Sequence, residues 1–320
     1  MVDTGPRAAL LAPEVETRPG FGQRLHDAAQ AAGSLVCIGL DPNPERLPPH
    51  AWDPNDVTGS IVRFNSALIE ATADLVCAYK PNLGFYAALG EDGIAALVAT
   101  RRLIPPAVPV ILDCKVGDIG ETARGYARGY FDAWGFDAIT VNPYLGEDSL
   151  EPFLSYGDRG VLVVCKTSNP GSGDLQDLSV SERQPLHSSP ETGSAQAERP
   201  LYLTVADRSA IWNTRYPATV GLVVGATYPG QLAEIRAHCP DLPILLPGVG
   251  AQAGDLDAAL QAGLDSDGMG LVVSSSRTII YASNGPDFAI HARQAAIDLR
   301  DAINAVRVTP HIERSARSGA

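Results

Sequence analysis

Eight short runs of apolar and β-branched residues punctuate this chain, and stretches of helical period separate them almost from end to end. The runs are "SLVCIGLD" (34–41), "LVCAYKPN" (75–82), "VPVILDCK" (108–115), "DAITVNP" (137–143), "GVLVVCKTS" (160–168), "TVGLVVGAT" (219–227), "PILLPGVG" (243–250) and "GMGLVVSSS" (268–276). They are apolar on both faces, as strands of a parallel sheet covered by helices must be. The intervening segments include "DVTGSIVRFNSALIEATAD", "GIAALVATRRLI", "ETARGYARGYFDAWG", "PLYLTVADRSAIWNTR" and "DFAIHARQAAIDLRDAINAVR". Strand then helix, repeated eight times, predicts an α/β fold of the (β/α)8 TIM-barrel type, with a doubly wound open sheet as the competing architecture. Polar and charged residues decide between the two, because they gather at the C-terminal ends of the strands. These are Asp41, Lys80, Asp113 with Lys115, Asn142, Lys166 to Asn169, Thr227, Gln252 and Arg277. In a barrel those ends share one face and point at one site, whereas an open sheet would spread them along an edge.

The 320 residues suit one large barrel with appendages. The barrel is expected over 20–308, between disordered tails at 1–19 and 309–320. A flexible insert at about 174–200 interrupts it, Pro/Ser-rich and without period over 181–200. No apolar run approaches the ~18 residues of a membrane span, and the N-terminus lacks a basic region followed by an apolar segment, so a cytoplasmic, untargeted protein is expected. A formal net charge of −13 argues against nucleic acid as partner, since phosphate contacts need a basic face. It leaves room for a small anion held by a local cation. Cys37, Cys77, Cys114, Cys165 and Cys239 lack the spacing of a zinc site or redox pair and read as reduced core residues.

Chemistry concentrates in "VILDCKVGDIGET" (110–122). Alternation along a strand sends Asp113 and Lys115 the same way and Cys114 the other. Asp118 follows on the loop and is expected to reach the same rim, with Lys80 a neighbour in barrel order. A salt-bridge network closing the barrel top is the bland interpretation. It is weakened because buried ion clusters are a poor route to stability and because barrel enzymes act at this face. "PGVGAQAGD" (247–255) and "SSSRT" follow the seventh and eighth strands, the usual phosphate position of such barrels, with Arg277 as the charged contact and Gln252 as a neutral donor.

"LDCKVGDIGET" resembles the Asp-x-Lys-x-x-Asp-Ile signature of the orotidine 5'-phosphate decarboxylase family. "GLDPNP", "YKPNLGFY", "TSNPG", "PGVGAQAGD" and "SSRTIIYAS" are similar to its other landmarks in the same order, over about residues 20 to 305. The insert after "SNPGSGDLQ", and "SSSRT" where many members carry Gly-Arg-Ser, resemble a divergent bacterial branch. The resemblance implies a homodimeric lyase converting orotidine 5'-monophosphate to uridine 5'-monophosphate and CO2, the last step of de novo pyrimidine nucleotide synthesis, with no metal and no cofactor. It implies Lys80, Asp113, Lys115 and Asp118 as catalytic residues, Lys115 lying beside C6 and protonating it. It further implies Asp41 on the ribose, Ser168 on the pyrimidine, Gln252 and Arg277 on the phosphate, and Asp118 and Thr122 reaching into the neighbouring subunit's site. The residues leave three rivals: a magnesium-dependent sugar-phosphate decarboxylase sharing the Asp-x-Lys-x-x-Asp motif, a Schiff-base aldolase using Lys115, Lys80 or Lys166, and a non-catalytic nucleotide-binding barrel.

Overall fold

All eight apolar runs form strands: β1 (Val36–Ile38), β2 (Ala78–Tyr79), β3 (Ile111–Val116), β4 (Ala138–Val141), β5 (Gly160–Lys166), β6 (Thr219–Val224), β7 (Ile244–Pro247) and β8 (Leu271–Ser275). The structure is a computed structural model that describes residues 18–181, 198–249 and 253–307. Expectations about the segments 1–17 and 308–320, about 182–197 and about Gln252 therefore fall outside the described residues.

Every pairing among the eight strands is parallel, and each strand but β2 and β3 is hydrogen-bonded to its two neighbours in the order β2-β1-β8-β7-β6-β5-β4-β3. The ring closes between β2 and β3 through two isolated bridges, Tyr79 with Val110 and Asn82 with Asp113. Pro81 and Pro109 explain why this seam is not a continuous ladder, since neither offers a backbone N–H. Their carbonyls still accept, Pro109 from Tyr79 N–H at 3.0 Å and Pro81 from Asp113 N–H at 3.0 Å. The barrel expectation holds, and its closing contact falls inside the charged cluster.

Helices cover the outside, as the apolar spacing requires. The helix Val57–Thr72 begins at Asp56, whose carboxylate accepts from Gly59 N–H at 2.9 Å, a cap contributing about 1 kcal/mol. It buries Ile61, Phe64 and Leu68 at three- and four-residue spacing, with Ile69 beside them, each such side chain contributing roughly 1.5–3 kcal/mol. "ETARGYARGYFDAWG" forms the helix Gly120–Ala127 and continues as a π-helical turn over Arg128–Ala133.

The N-terminal face of the barrel is structural. Helix Phe21–Ala32 lies there, with Phe21 fully buried where a Cβ on Gly160 would collide with its ring. The buried Asp137 accepts from Arg18 at 2.6 Å, Arg24 at 2.7 Å and Arg101 at 3.1 Å. Arg18, which the sequence assigns to the tail, thus already joins the barrel. The stems of the insert are also ordered: Pro170–Asp174 is a 3-10 turn, and Ser179–Val180 pairs antiparallel with Arg199–Pro200. No helix among the described residues is long and apolar enough to cross a membrane.

Candidate active site

Asp113 sits where β3 leaves the barrel, 8% exposed, and four side chains from three strand ends converge on it. Lys80, beyond β2 and 4% exposed, donates to Oδ2 at 3.0 Å. Lys115 donates to Oδ1 at 2.6 Å with its own side chain 45% exposed. Asn82 Nδ2 donates to Oδ2 at 3.1 Å, and its backbone N–H donates to Asp41 Oδ1 at 3.0 Å. The Thr140 hydroxyl, on β4, donates to Asp113 Oδ1 at 3.0 Å and accepts from Lys115 N–H at 2.8 Å.

Asp113 and Lys115 do meet, but plain alternation is not the reason. The β3–β4 register shifts between Leu112 and Val116, and Lys115 has φ +44°, the only positive φ of a non-glycine among the described residues. This bulge lifts Lys115 toward solvent while Thr140 holds its backbone. Cys114 turns to the Thr140 carbonyl, with Sγ to O at 3.3 Å.

The electrostatics follow from burial and charge. Burial would raise the Asp113 carboxyl pKa, but Lys80 and Lys115 outweigh it and hold the group far below the usual carboxylate range. Burial would lower the Lys80 pKa, yet Asp113 and Asp41 reverse it, so the net shift is upward. A permanently charged lysine is the opposite of what a Schiff-base nucleophile needs.

Asp41, Lys80, Asn82 and Asp113 line a cavity of about 700 Å³, a size suited to a small-molecule ligand. The same cavity is lined by Gly248, Val249, Ser276 and Arg277, the last exposed at the start of the short helix Arg277–Ile280. Arg46 lines the same cavity, its guanidinium 4.4 Å from the centre of the Tyr281 ring. Among the described residues neither Arg46 nor Arg277 has a carboxylate partner, so the cavity of an acidic chain holds two unpaired guanidinium groups. A hollow of about 800 Å³ on the outer face of helix Gly90–Leu103 is larger, but Ala, Ile and Val side chains line most of it, with Glu91 and Arg102 its only charged residues among those described.

Ser168 is exposed on the loop after β5, packed so closely on Gly225 that a Cβ there would lie 2.8 Å from Ser168 Cβ. Asp118 does not join the Asp113 cluster within this chain; its Oδ1 accepts from Ile119 N–H at 2.8 Å. Thr122 is exposed on helix Gly120–Ala127. Asn142 caps the turn Pro143–Leu145 by accepting from Tyr144 N–H at 3.1 Å. Asn82, Thr140 and Arg46 were not singled out from sequence. Period two was the available signal for the first two, since Asn82 follows Lys80 by two residues and Thr140 precedes Asn142 by two. Among the described residues no three His, Cys, Asp or Glu side chains converge as metal ligands would.

Residues 34–292 match the model of the orotidine 5'-phosphate decarboxylase / HUMPS family. A curated orotidine 5'-phosphate decarboxylase of Thermomicrobium roseum is 54% identical over 287 residues, covering 90% of this chain and 96% of that protein. One from Roseiflexus castenholzii is 50% identical over 288 residues, covering 89% and 97%. The solved structure of Leishmania donovani OMP decarboxylase superimposes with a TM-score of 0.74 at 39% identity, over 91% of this chain and 100% of that one. Fold, charged cluster and sequence agree, and the chain belongs to the orotidine 5'-phosphate decarboxylase / HUMPS family.

Proposed function

We propose that this chain decarboxylates orotidine 5'-monophosphate at C6, releasing CO2 and uridine 5'-monophosphate, as its relatives' names indicate for them. The observation that carries the reading is the Asp113 carboxylate clamped between Lys80 and Lys115 in a cavity that Arg277 also lines. With Arg277 on the phosphate and Asp41 on the ribose, the ring's carboxylate falls beside Asp113. Two carboxylates about 4 Å apart repel by roughly 4 kcal/mol at an effective dielectric near 20, and loss of CO2 relieves it. The C6 carbanion left behind develops next to the Lys115 ammonium, which stabilises it electrostatically and then gives it a proton. The half-exposed, bulge-mounted Lys115 suits that role better than the buried Lys80, whose charge holds Asp113 ionised. Phosphate binding far from the reacting carbon orients the ring.

The reading includes a homodimer in which Asp118 and Thr122 serve the partner's site. It is supported by their standing apart from their own chain's cluster, with Ile119 exposed beside Asp118, Tyr126 exposed one turn after Thr122 on the helix Gly120–Ala127, and Tyr144 exposed on the turn after β4.

Loss of orotidine 5'-monophosphate absorbance, followed with EDTA and no added metal, tests substrate, reaction and metal independence together. Full activity under chelation is expected. Activity abolished by EDTA and restored by magnesium would favour the metal-dependent sugar-phosphate branch, and no turnover with tight product binding would favour a non-catalytic barrel.

A further inference from the structure

Lys166, the last residue of β5, is 1% exposed and takes no part in the mechanism above. Its ammonium donates to Asp177 Oδ1 and Oδ2 at 2.8 and 2.9 Å and to Ser172 Oγ at 3.2 Å, and it lies 5.2 Å from the centre of the Tyr228 ring. A buried ammonium needs a counter-charge. Here it comes from outside the barrel, from the stem of the insert. A second tie lies beside it: Gln176 Oε1 accepts from Thr167 N–H at 2.9 Å. Gln231 Nε2, on helix Pro229–His238, donates to Asp177 Oδ1 at 3.3 Å. Ser168 lies between these anchors and rests on Gly225, whose N–H donates to the Lys166 carbonyl at 2.8 Å. The place of Ser168 is thus inherited from the residues on either side of it.

We propose that Lys166 and Asp177 are positioning residues: their ion pair fixes the 167–177 turn so that Ser168 faces the heterocyclic base of the bound nucleotide. The inference rests on the functional reading above. The two partners are unequal. Removing the carboxylate strands a buried cation, whereas removing the lysine leaves Asp177, 41% exposed, free to hydrate. Asp177→Asn is therefore the more damaging change, and Lys166→Met in the same chain relieves it.

Calorimetric binding of uridine 5'-monophosphate and of ribose 5-phosphate, with kcat and KM, tests this in wild type, Asp177→Asn, Lys166→Met, Lys166→Arg and the Lys166→Met/Asp177→Asn double variant. Asp177→Asn should weaken the nucleotide about tenfold, the worth of roughly one well-made hydrogen bond, and raise KM more than it lowers kcat. Ribose 5-phosphate should bind as before, Lys166→Arg should resemble wild type, and the double variant should recover toward Lys166→Met. Equal losses for both ligands, or a nucleotide affinity unchanged in Asp177→Asn, would overturn the proposal. If Asp177→Asn does not fold, the double variant and Lys166→Met carry the same ligand comparison. A wild-type chain that does not decarboxylate the substrate overturns the functional reading and this inference with it; an active wild type with base-independent losses overturns this one alone.

Discussion

Asp113 accepts from Lys80, Lys115, Asn82 and Thr140, and removing its charge leaves the Lys80 ammonium buried without its closest counter-ion. Stranding a buried charge costs about 3–5 kcal/mol, so Asp113→Asn should lower unfolding free energy by that order in urea titrations near pH 7. The pH dependence has two limbs. Asp113 is depressed in the folded state, so its contribution is present above the ordinary carboxyl pKa and lost as pH falls through the lower folded value. Lys80 is raised, so its contribution is present below the ordinary lysine pKa and lost as pH rises through the higher folded value. The stability gap between wild type and Asp113→Asn should form a plateau across the neutral range and narrow at both extremes. A gap that peaks sharply near neutrality would contradict the assignment. Asp113, Lys115 and Lys80 were legible in sequence because charges in apolar runs stand out. Asn82 and Thr140 were not, because which polar side chain meets Asp113 across a strand depends on register, and a one-residue slip reverses the face.

At the scale of the element, β3 departs from regularity at the residue assigned to protonation. A left-handed non-glycine residue costs roughly 1–2 kcal/mol, which Thr140's grip on the Lys115 N–H helps to sustain. Lys115→Gly should therefore melt higher than Lys115→Ala, by the equivalent of about 1 kcal/mol, while both are inactive. Equal stabilities would mean that the bulge relaxes without the lysine. The eight strands themselves were legible from apolar runs, yet every run but 108–115 extends beyond its strand at both ends or at the C-terminal end. The overshoot holds the residues that leave the ladder to line the barrel mouth, such as Lys80 and Asn82 past β2. Neither the bulge in β3 nor the proline-interrupted seam beside it has a local signature strong enough to read in advance. Asp118 shows the same limit: chain proximity suggested the shared rim, and the turn after β3 carries its carboxylate to Ile119 N–H instead.

Over the whole molecule, a chain of net charge −13 keeps two guanidinium groups unpaired among the described residues, Arg277 and Arg46, and a clamped carboxylate in one cavity. That combination fits an anion held by its phosphate and stressed at its reacting carboxylate. Arg277→Ala should weaken uridine 5'-monophosphate by roughly 1.5–3 kcal/mol and leave uridine almost unaffected, because a charge-assisted contact is lost only by the phosphate; equal losses would remove Arg277 from that role. If Asp118 serves the partner's site, mixing Asp118→Ala with Lys115→Ala subunits should restore part of the activity, since one site per heterodimer then regains both groups. No recovery in verified heterodimers would contradict sharing. The central claim is tested most directly by single-turnover kinetics and product affinity of Lys115→Ala. The account predicts turnover reduced by roughly 10³-fold or more with uridine 5'-monophosphate still bound, the loss expected when a proton donor and its charge are removed together. Turnover within a few-fold of wild type would contradict it.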